Sequence, residues 1–276
     1  MPIHFSTDPS PALDQLGGKG AALARLGALG FEVPPWFAVT GDDELDPLAI
    51  AEAVATLGAA RFAVRSSARS EDGAEHSFAG QFSTFLEVPA QEIQSRILDV
   101  RASARHESVE TYCRERGLPQ PAPPTVLVQR MIDPVCAGVA FSADPVTGQR
   151  GIAVVSTVRG TGDQLVSGEV DGETWRVDRH DVATIPDNAW WTSAEAVEVA
   201  RLARRCEDAC GRPQDIEWAI DRDGRLWLLQ SRPITTLSAL PDQDDPLQLW
   251  DNSNIAESYG GVTTPLTFSF ARRIYD

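Results

Sequence analysis

The side chains with the clearest chemical promise lie on two short runs joined by a turn. Asp215-Ile216-Glu217-Trp218-Ala219-Ile220-Asp221 is followed by Arg222-Asp223-Gly224 and then by Arg225-Leu226-Trp227-Leu228-Leu229-Gln230-Ser231-Arg232-Pro233. Glu217 and Gln230 each interrupt apolar sequence, where a carboxylate or an amide is costly unless it finds a partner. Branched and aromatic residues on both arms, with Asp-Gly between them, predict a β-hairpin. A short loop would set Glu217 beside Gln230, with Arg232 farther along the second arm. A carboxylate and an amide oxygen side by side make half of a hard-oxygen cage, suited to Mg²⁺ that keeps waters and takes phosphate oxygens. An arginine next to that cage supplies a bidentate phosphate clamp. The same pattern also describes an ordinary hairpin whose polar groups face water.

Two further places carry phosphate chemistry. Leu16-Gly17-Gly18-Lys19-Gly20 opens a helical stripe of Leu13, Leu16, Leu23, Leu26 and Leu29. Glycines are poor helix formers, yet they leave backbone N–H groups open to a close ligand, with Lys19 as a point charge. The run lacks the spacing and the hydroxyl of a Walker A loop, so it reads either as an anion site or as a plain glycine-rich helix start. Arg61-Phe62-Ala63-Val64-Arg65-Ser66-Ser67 reads as a strand that delivers Arg65 and two hydroxyls to its end. The polar segment 68–80 after it reads as a mobile loop, the kind of position where binding groups sit.

Composition narrows the function classes. The chain has 276 residues, enough for one large domain or two small ones with a substantial core. Forty acids against 24 bases give a net charge of −16, which argues against nucleic acid or an anionic membrane surface as partner. A nucleotide stays compatible, because a few basic groups and a metal ion reverse the field inside one cleft. Cys113, Cys136, Cys206 and Cys210 show no zinc-site spacing and read as buried thiols of a reducing cytosol. No apolar run approaches the ~20 residues of a membrane helix, and the N-terminus has no signal-peptide core. A cytoplasmic protein is expected.

The remaining elements must position these groups. Gly30 closes the first helix, and Val33-Pro34-Pro35-Trp36-Phe37-Ala38-Val39 leads into a strand. A short helix is expected between Asp42 and Gly58, a strand over 81–88, and an amphipathic helix from Ile93 toward Gly117. Four prolines in Leu118 to Pro124 mark the clearest linker. A strand-rich half follows, over 125–131, 136–141, 151–158 and around Trp175 and Val182. Turn chemistry sits at Asp144-Pro145-Val146-Thr147-Gly148. A capping box from Thr192 to Glu195 starts a helix through Val199, Leu202 and Cys206. Residues 239–276 read as a linker or tail that continues, or docks on something, in the native context.

Taken together, these pieces resemble the nucleotide-binding N-terminal region of the phosphoenolpyruvate synthase, pyruvate phosphate dikinase and rifampicin phosphotransferase family. The resemblance rests on Leu16-Gly17-Gly18-Lys19-Gly20-Ala21, Val33-Pro34-Pro35-Trp36-Phe37, Ala63-Val64-Arg65-Ser66-Ser67-Ala68 with Glu71-Asp72, and Ser77-Phe78-Ala79-Gly80-Gln81. It continues through Val128-Gln129-Arg130-Met131, Ala137-Gly138-Val139-Ala140-Phe141, Asp144-Pro145-Val146-Thr147-Gly148, Val166-Ser167-Gly168, Asp215-Ile216-Glu217-Trp218 and Leu229-Gln230-Ser231-Arg232-Pro233-Ile234. The pieces span nearly the whole chain in the family's order.

The resemblance implies an α+β, ATP-grasp fold, with two subdomains and a nucleotide cleft between them. The expected division is an N-terminal subdomain over 1–123, a C-terminal subdomain with the metal hairpin over 124–238, and a linker over 239–276. It implies ATP and Mg²⁺ as ligands. Lys19 and Arg65 look like phosphate-contacting bases, Ser77 to Gln81 (with Gly80) like part of a loop over the phosphates, and Gln129, Arg130 and Met131 like the strand beside adenine. Glu217 and Gln230 match the Mg²⁺ ligands, Arg232 the neighbouring clamp, and Asp215 a supporting carboxylate. Lys19, Arg65 and Arg232 are the implied catalytic cations.

The sequence departs from the family in three places. The segment between Thr40 and Arg61 is short, and Gly160-Thr161-Gly162-Asp163 stands where the family has Gly-Leu-Gly-Glu. None of His4, His76, His106 and His180 has the family's carrier-histidine context. The expected function is therefore the ATP-binding domain of a phosphotransferase that phosphorylates a histidine on a separate domain, in cis or in trans, for transfer to pyruvate or another small acceptor. Such a domain would be incomplete on its own. A non-catalytic nucleotide-binding module and an ATP-grasp ligase are the alternatives.

Overall fold

Alternating apolar residues build two antiparallel sheets in a computed structural model that describes residues 2–8, 13–41, 44–68, 84–103, 123–166, 168–187 and 189–239. The first sheet holds β1 (Ile3–Phe5), β2 (Trp36–Val39), β3 (Arg61–Ser67), β4 (Thr84–Pro89) and β5 (Thr125–Arg130), in the order β1-β2-β5-β3-β4. The second holds β6 (Pro134–Phe141), β7 (Ala153–Arg159), β8 (Glu173–Val177), β9 (Ala183–Thr184), β10 (Gln214–Asp221) and β11 (Leu226–Pro233), in the order β11-β10-β6-β7-β8-β9. The helices are α1 (Gly17–Ala28), α2 (Pro47–Leu57), α3 (Ile93–Ser103), α4 (Asp163–Val166) and α5 (Ser193–Cys210). The class is α+β, as expected. The segments 69–83, 104–122 and 240–276, on which the mobile loop, the end of the amphipathic helix and the tail were expected, lie outside the described residues.

Both faces of the first sheet are covered, which is why β2 is buried along its whole length. Phe37, Val39, Phe62, Val64, Val126 and Val128 pack on one face against Ile50, Val54 and Leu57 of α2 and Ile93, Ile97 and Val100 of α3. The alternate residues Trp36, Ala38 and Leu127 meet Leu16 and Leu23 of the α1 segment on the other face. The main apolar cover of the second sheet among the described residues is α5, on one face. There Val155, Trp175, Ile216 and Trp218 pack against Val199, Ala203 and Cys206 of α5, and Trp191 stacks on Trp218 with ring centroids 5.2 Å apart.

Helix ends follow local chemistry. The side chain of Asp46 accepts from the N–H groups of Leu48 and Ala49, Pro47 occupies the first turn, and Gly58 closes α2 in the left-handed region at φ 57°. Thr192 and Glu195 form the expected capping box, and Gly211 closes α5 at φ 69°.

One expectation is corrected by β5. The division after residue 123 falls ahead of this strand, yet β5 is the central strand of the first sheet, and the chain crosses to the second sheet at residues 131–133. The proline-rich stretch marks the entry to β5 and not the exit from the first half. A backbone bond ties the halves together: the Leu228 N–H of β11 donates to the Glu32 carbonyl just before β2 (2.8 Å).

The glycine-rich start of α1 is locked to the end of β3. Gly18 N–H donates to the Ala68 carbonyl (3.2 Å), and Gly20 N–H donates to Ser67 Oγ (2.9 Å). Ser67 Oγ in turn donates to the Leu16 carbonyl (2.6 Å). Of the two readings of this run, the structure therefore favours a helix start built for close approach, since both amides already have protein acceptors. Gly17 is required there: its φ is 70°, and a Cβ would lie 1.6 Å from the Ser67 carbonyl oxygen. Gly17→Ala should thus lower stability in urea denaturation by at least about 2 kcal/mol, from strain plus overlap. Gly27→Ala, in the same helix with nothing within 4 Å of the added Cβ, should raise it by about 0.5–1 kcal/mol.

Candidate functional site

The hairpin of β10 and β11 brings the two polar exceptions together as expected. Glu217 is directly opposite Gln230, and Asp215 is opposite Arg232. What the sequence did not disclose is a bulge: Trp218 pairs with Leu228, so Leu229 drops out of the ladder. Side chains alternate along a strand, and one extra residue reverses their phase. Leu228 therefore faces the α5 core beside Ile216 and Trp218, while Gln230 turns to the opposite face beside Glu217. Without the bulge, the amide would share the phase of the core residues.

That opposite face is one wall of a cleft of about 470 Å³ whose other wall is the first sheet. Arg65, near the end of β3, crosses it. Its Nη2 lies 3.3 Å from Glu217 Oε2 and its Nη1 donates to Gln230 Oε1 at 3.4 Å. Arg232 is held differently. Its Nε donates to Asp215 Oδ2 at 2.8 Å, and its Nη2 is also 2.8 Å from that oxygen. Lys19 lines the cleft from α1 and donates to the Ser66 carbonyl at 3.4 Å, so the glycine lock between α1 and β3 also sets the position of this lysine.

The connecting segment supplies the third side. Gln129, Arg130 and Met131 all line the cleft. The backbone there is fixed from both flanks: Arg130 N–H donates to the Pro35 carbonyl (2.9 Å) and Met131 N–H to the Arg61 carbonyl (3.0 Å). Gln129 is 3% exposed, and its Nε2 has no protein partner. A buried amide donor facing a cleft is costly unless something in the cleft accepts from it. Lys19, Arg65, Arg130 and Arg232 thus stand against the acids Glu217 and Asp163, so this cleft of an acidic protein is locally cationic.

Ten of the residues singled out from sequence (Lys19, Arg65, Gln129, Arg130, Met131, Asp215, Glu217, Gln230, Arg232 and the departure residue Asp163) fall in or directly beside this cleft. Ser77, Gly80 and Gln81 lie outside the described residues, as do His76 and His106. His4, on β1, and His180, in the turn between β8 and β9, are not among the cleft's lining residues. Sequence reasoning missed the role of Gly138, where a Cβ would lie 1.9 Å from the Ser156 carbonyl oxygen; its bareness lets β6 carry the cleft floor close against β7. Of the four thiols expected to be buried, Cys136 and Cys206 are, and burial pushes their pKa up to about 11 and about 12; Cys210 is partly exposed, and Cys113 lies outside the described residues.

Among the described residues no group of three or more His, Cys, Asp or Glu gathers as a metal cage. Glu217 and Gln230 offer two hard oxygens on one face of the hairpin, a donor set that fits an ion completing its shell with water and phosphate.

The chain belongs to the pyruvate phosphate dikinase AMP/ATP-binding domain family, which it matches over residues 47–189 and 186–249. It is 31% identical to the prodigiosin synthesizing transferase PigC of Serratia marcescens, over 98% of this chain and 38% of that protein. It is 34% identical to a rifampicin phosphotransferase of a Streptomyces species, over 84% of this chain and 36% of that protein. To the phosphoenolpyruvate synthase of Pyrococcus furiosus it is 34% identical, over 63% of this chain and 26% of that protein. The chain therefore spans well under half the length of the curated relatives it matches. It is an ATP-binding domain by family, and two antiparallel sheets with a cleft between them are what the ATP-grasp resemblance implied. No helix among the described residues is long and apolar enough to cross a membrane.

The unpartnered Gln129 amide yields a prediction with two opposite signs. Gln129→Leu should raise the stability of the nucleotide-free protein by about 1 kcal/mol, since a buried unsatisfied donor disappears. The same change should weaken ATP binding about three- to tenfold, as a hydrogen bond to the ligand is lost. Urea denaturation and calorimetry on one pair of proteins measure both.

Proposed function

We propose that the chain is the ATP-binding part of a phosphotransferase that phosphorylates a carrier histidine on a separate domain, for onward transfer to a small acceptor. The observation that carries this reading is the convergence of Glu217 and Gln230 with Arg65, Arg232 and Lys19 on one cleft. In this reading the cleft separates two subdomains, with adenine beside Gln129, Arg130 and Met131 and the triphosphate running toward the hairpin. Ser77, Gly80 and Gln81 belong to a loop over the phosphates, an assignment that rests on the resemblance.

Phosphoryl transfer asks for positioning and for fixed charge where charge spreads in the transition state. Arg232 is pre-set by Asp215, so its guanidinium presents donors to a phosphate without searching for a rotamer. Lys19 adds a compact charge, and Arg65 reaches the same space from β3. Glu217 and Gln230 would hold Mg²⁺, which when bound neutralises charge on the phosphate oxygens. Much of the remaining cleft wall is apolar (Ala63, Leu86, Ile132, Ala137 and Leu229), which strengthens these interactions by lowering the local dielectric.

The acceptor comes from outside this set of residues. None of the chain's four histidines carries the family's context, and the relatives are long enough to hold a further domain in cis. Three relatives with three different names share this region, so the final acceptor is expected to be chosen elsewhere.

ATP should bind at least about tenfold more weakly without Mg²⁺, because no metal charge then stands between Glu217 and the triphosphate. Calorimetry with and without the metal checks this, and equal affinities would count against the site. In labelling with ³²P-ATP, the chain alone should retain no phosphate and turn over slowly. Adding a separately expressed carrier-histidine domain from a relative should transfer label to that domain, and Glu217→Ala should abolish the transfer. Strong self-labelling, or undiminished transfer by the variant, would sink the reading; ADP release that depends on an added carboxylate and amine would point to a ligase.

A further inference from the structure

The two arginines of the cleft are held in different ways, and the difference has a consequence for the order in which ligands enter. Arg232 has its own carboxylate: Asp215 grips it at 2.8 Å one residue pair along the hairpin. Among the described residues Arg65 has none of its own. It lies across Glu217 Oε2 and Gln230 Oε1, the same oxygen pair whose chemistry suits a hard cation, at 3.3 and 3.4 Å. Charge-assisted hydrogen bonds settle at about 2.7–2.9 Å, so these contacts are slack. The Arg65 Nε, buried, has no protein partner, so the guanidinium is incompletely satisfied in this pose. Its side chain is 14% exposed and that of Glu217 18% exposed, so both can be reached from the cleft.

We propose that Arg65 is the built-in cation of the Glu217–Gln230 pair, occupying it until the phosphates of a nucleotide draw the guanidinium away, so that metal and nucleotide enter as one unit. This rests on the reading of the cleft as a nucleotide site. Charge explains the need: in a chain of net charge −16, a carboxylate on a cleft wall would otherwise collect any divalent ion and face an arriving triphosphate. With Arg65 in place the pair is neutralised, and a metal ion alone must displace a guanidinium that has nowhere better to go. A triphosphate supplies that better place, because it satisfies Nε and the two Nη groups together and frees two oxygens for the metal. The coupling is reciprocal by thermodynamic necessity.

Mn²⁺ alone serves as the probe, with its binding followed by electron paramagnetic resonance, and Mg·ATP binding is followed in parallel by calorimetry. Wild type should bind Mn²⁺ weakly without nucleotide. Arg65→Met should tighten Mn²⁺ binding about tenfold, within the usual range of coupling between sites. Lys19→Met removes the same charge from the same cleft without clearing the oxygen pair and should change it less than about threefold, the screened effect of a neighbouring charge. Arg65→Lys, which keeps the charge but cannot span both oxygens, should also tighten it, and it stands in if the methionine variant folds poorly. No gain in either Arg65 variant, or an equal gain in Lys19→Met, overturns the proposal. If Mg·ATP fails to bind wild type, the reading of the cleft fails instead, whatever Mn²⁺ does.

Discussion

A carboxylate on the wall of a half-buried cleft must have a cation, and much of this structure can be read as the arrangement that gives Glu217 one. Its neighbour across the hairpin is the Gln230 amide, and its counter-charge comes from Arg65 on the other sheet. That contact joins β10 and β11 to β3 across the cleft. It depends on the bulge at Leu229, which gives Gln230 the same facing as Glu217. The lock between α1 and β3 holds Lys19 beside the same strand end. The cleft's cationic lining is a local reversal of a strongly acidic surface, and it comes from a handful of side chains on rigid strands and a helix start.

The parts of this arrangement that were legible in the sequence are those set by short-range chemistry. Asp-Gly between alternating arms announced the hairpin, Thr192 with Glu195 announced α5, and the apolar phases of β3 and β5 placed Arg65 and Gln129 on strands. What escaped has a common cause: it depends on which atom of a distant segment comes close. Leu228 and Leu229 are both apolar, so nothing local says which of them leaves the ladder. The glycines of α1 look equally ready for a phosphate or for a strand end until the Ser67 carbonyl is found against Gly17. The prolines before β5 look like a domain boundary because they interrupt structure, whereas β5 returns to the centre of the sheet that had been left. Pattern reads elements well and pairing partners poorly.

Ser67 illustrates how a motif residue can matter without touching a ligand. Its hydroxyl accepts from Gly20 N–H and donates to the Leu16 carbonyl, two of the groups that a helix start and its approach leave open. A neighbouring residue, Ser66, offers its carbonyl to Lys19. The pair of serines after Arg65 thereby converts the end of a strand into the seat of a helix. One consequence is that the segments carrying Lys19 and Arg65, 46 positions apart in sequence, are fixed relative to each other by one backbone bond, Gly18 N–H to the Ala68 carbonyl, and by the short side chain of Ser67.

Where the protein tolerates imperfection is itself informative. Most buried polar groups in a folded chain are satisfied, and exceptions cost stability. Two of the exceptions here, Arg65 Nε and Gln129 Nε2, belong to side chains that line the one cleft, on adjacent strands β3 and β5. Both are donors, and donors without acceptors are what an anionic, acceptor-rich ligand would complete. The buried acid of the hairpin with a close and well-formed partner, Asp215, is instead matched to Arg232 at 2.8 Å and leaves nothing to be completed between the two. The contrast is between finished interactions, Ser67 with the α1 glycines and the Asp215 grip that aims Arg232 at the cleft, and the incompletely satisfied donors of Arg65 and Gln129. A sequence selected for stability alone would have paired or removed those donors, and local rules are expected to be broken where function needs them broken.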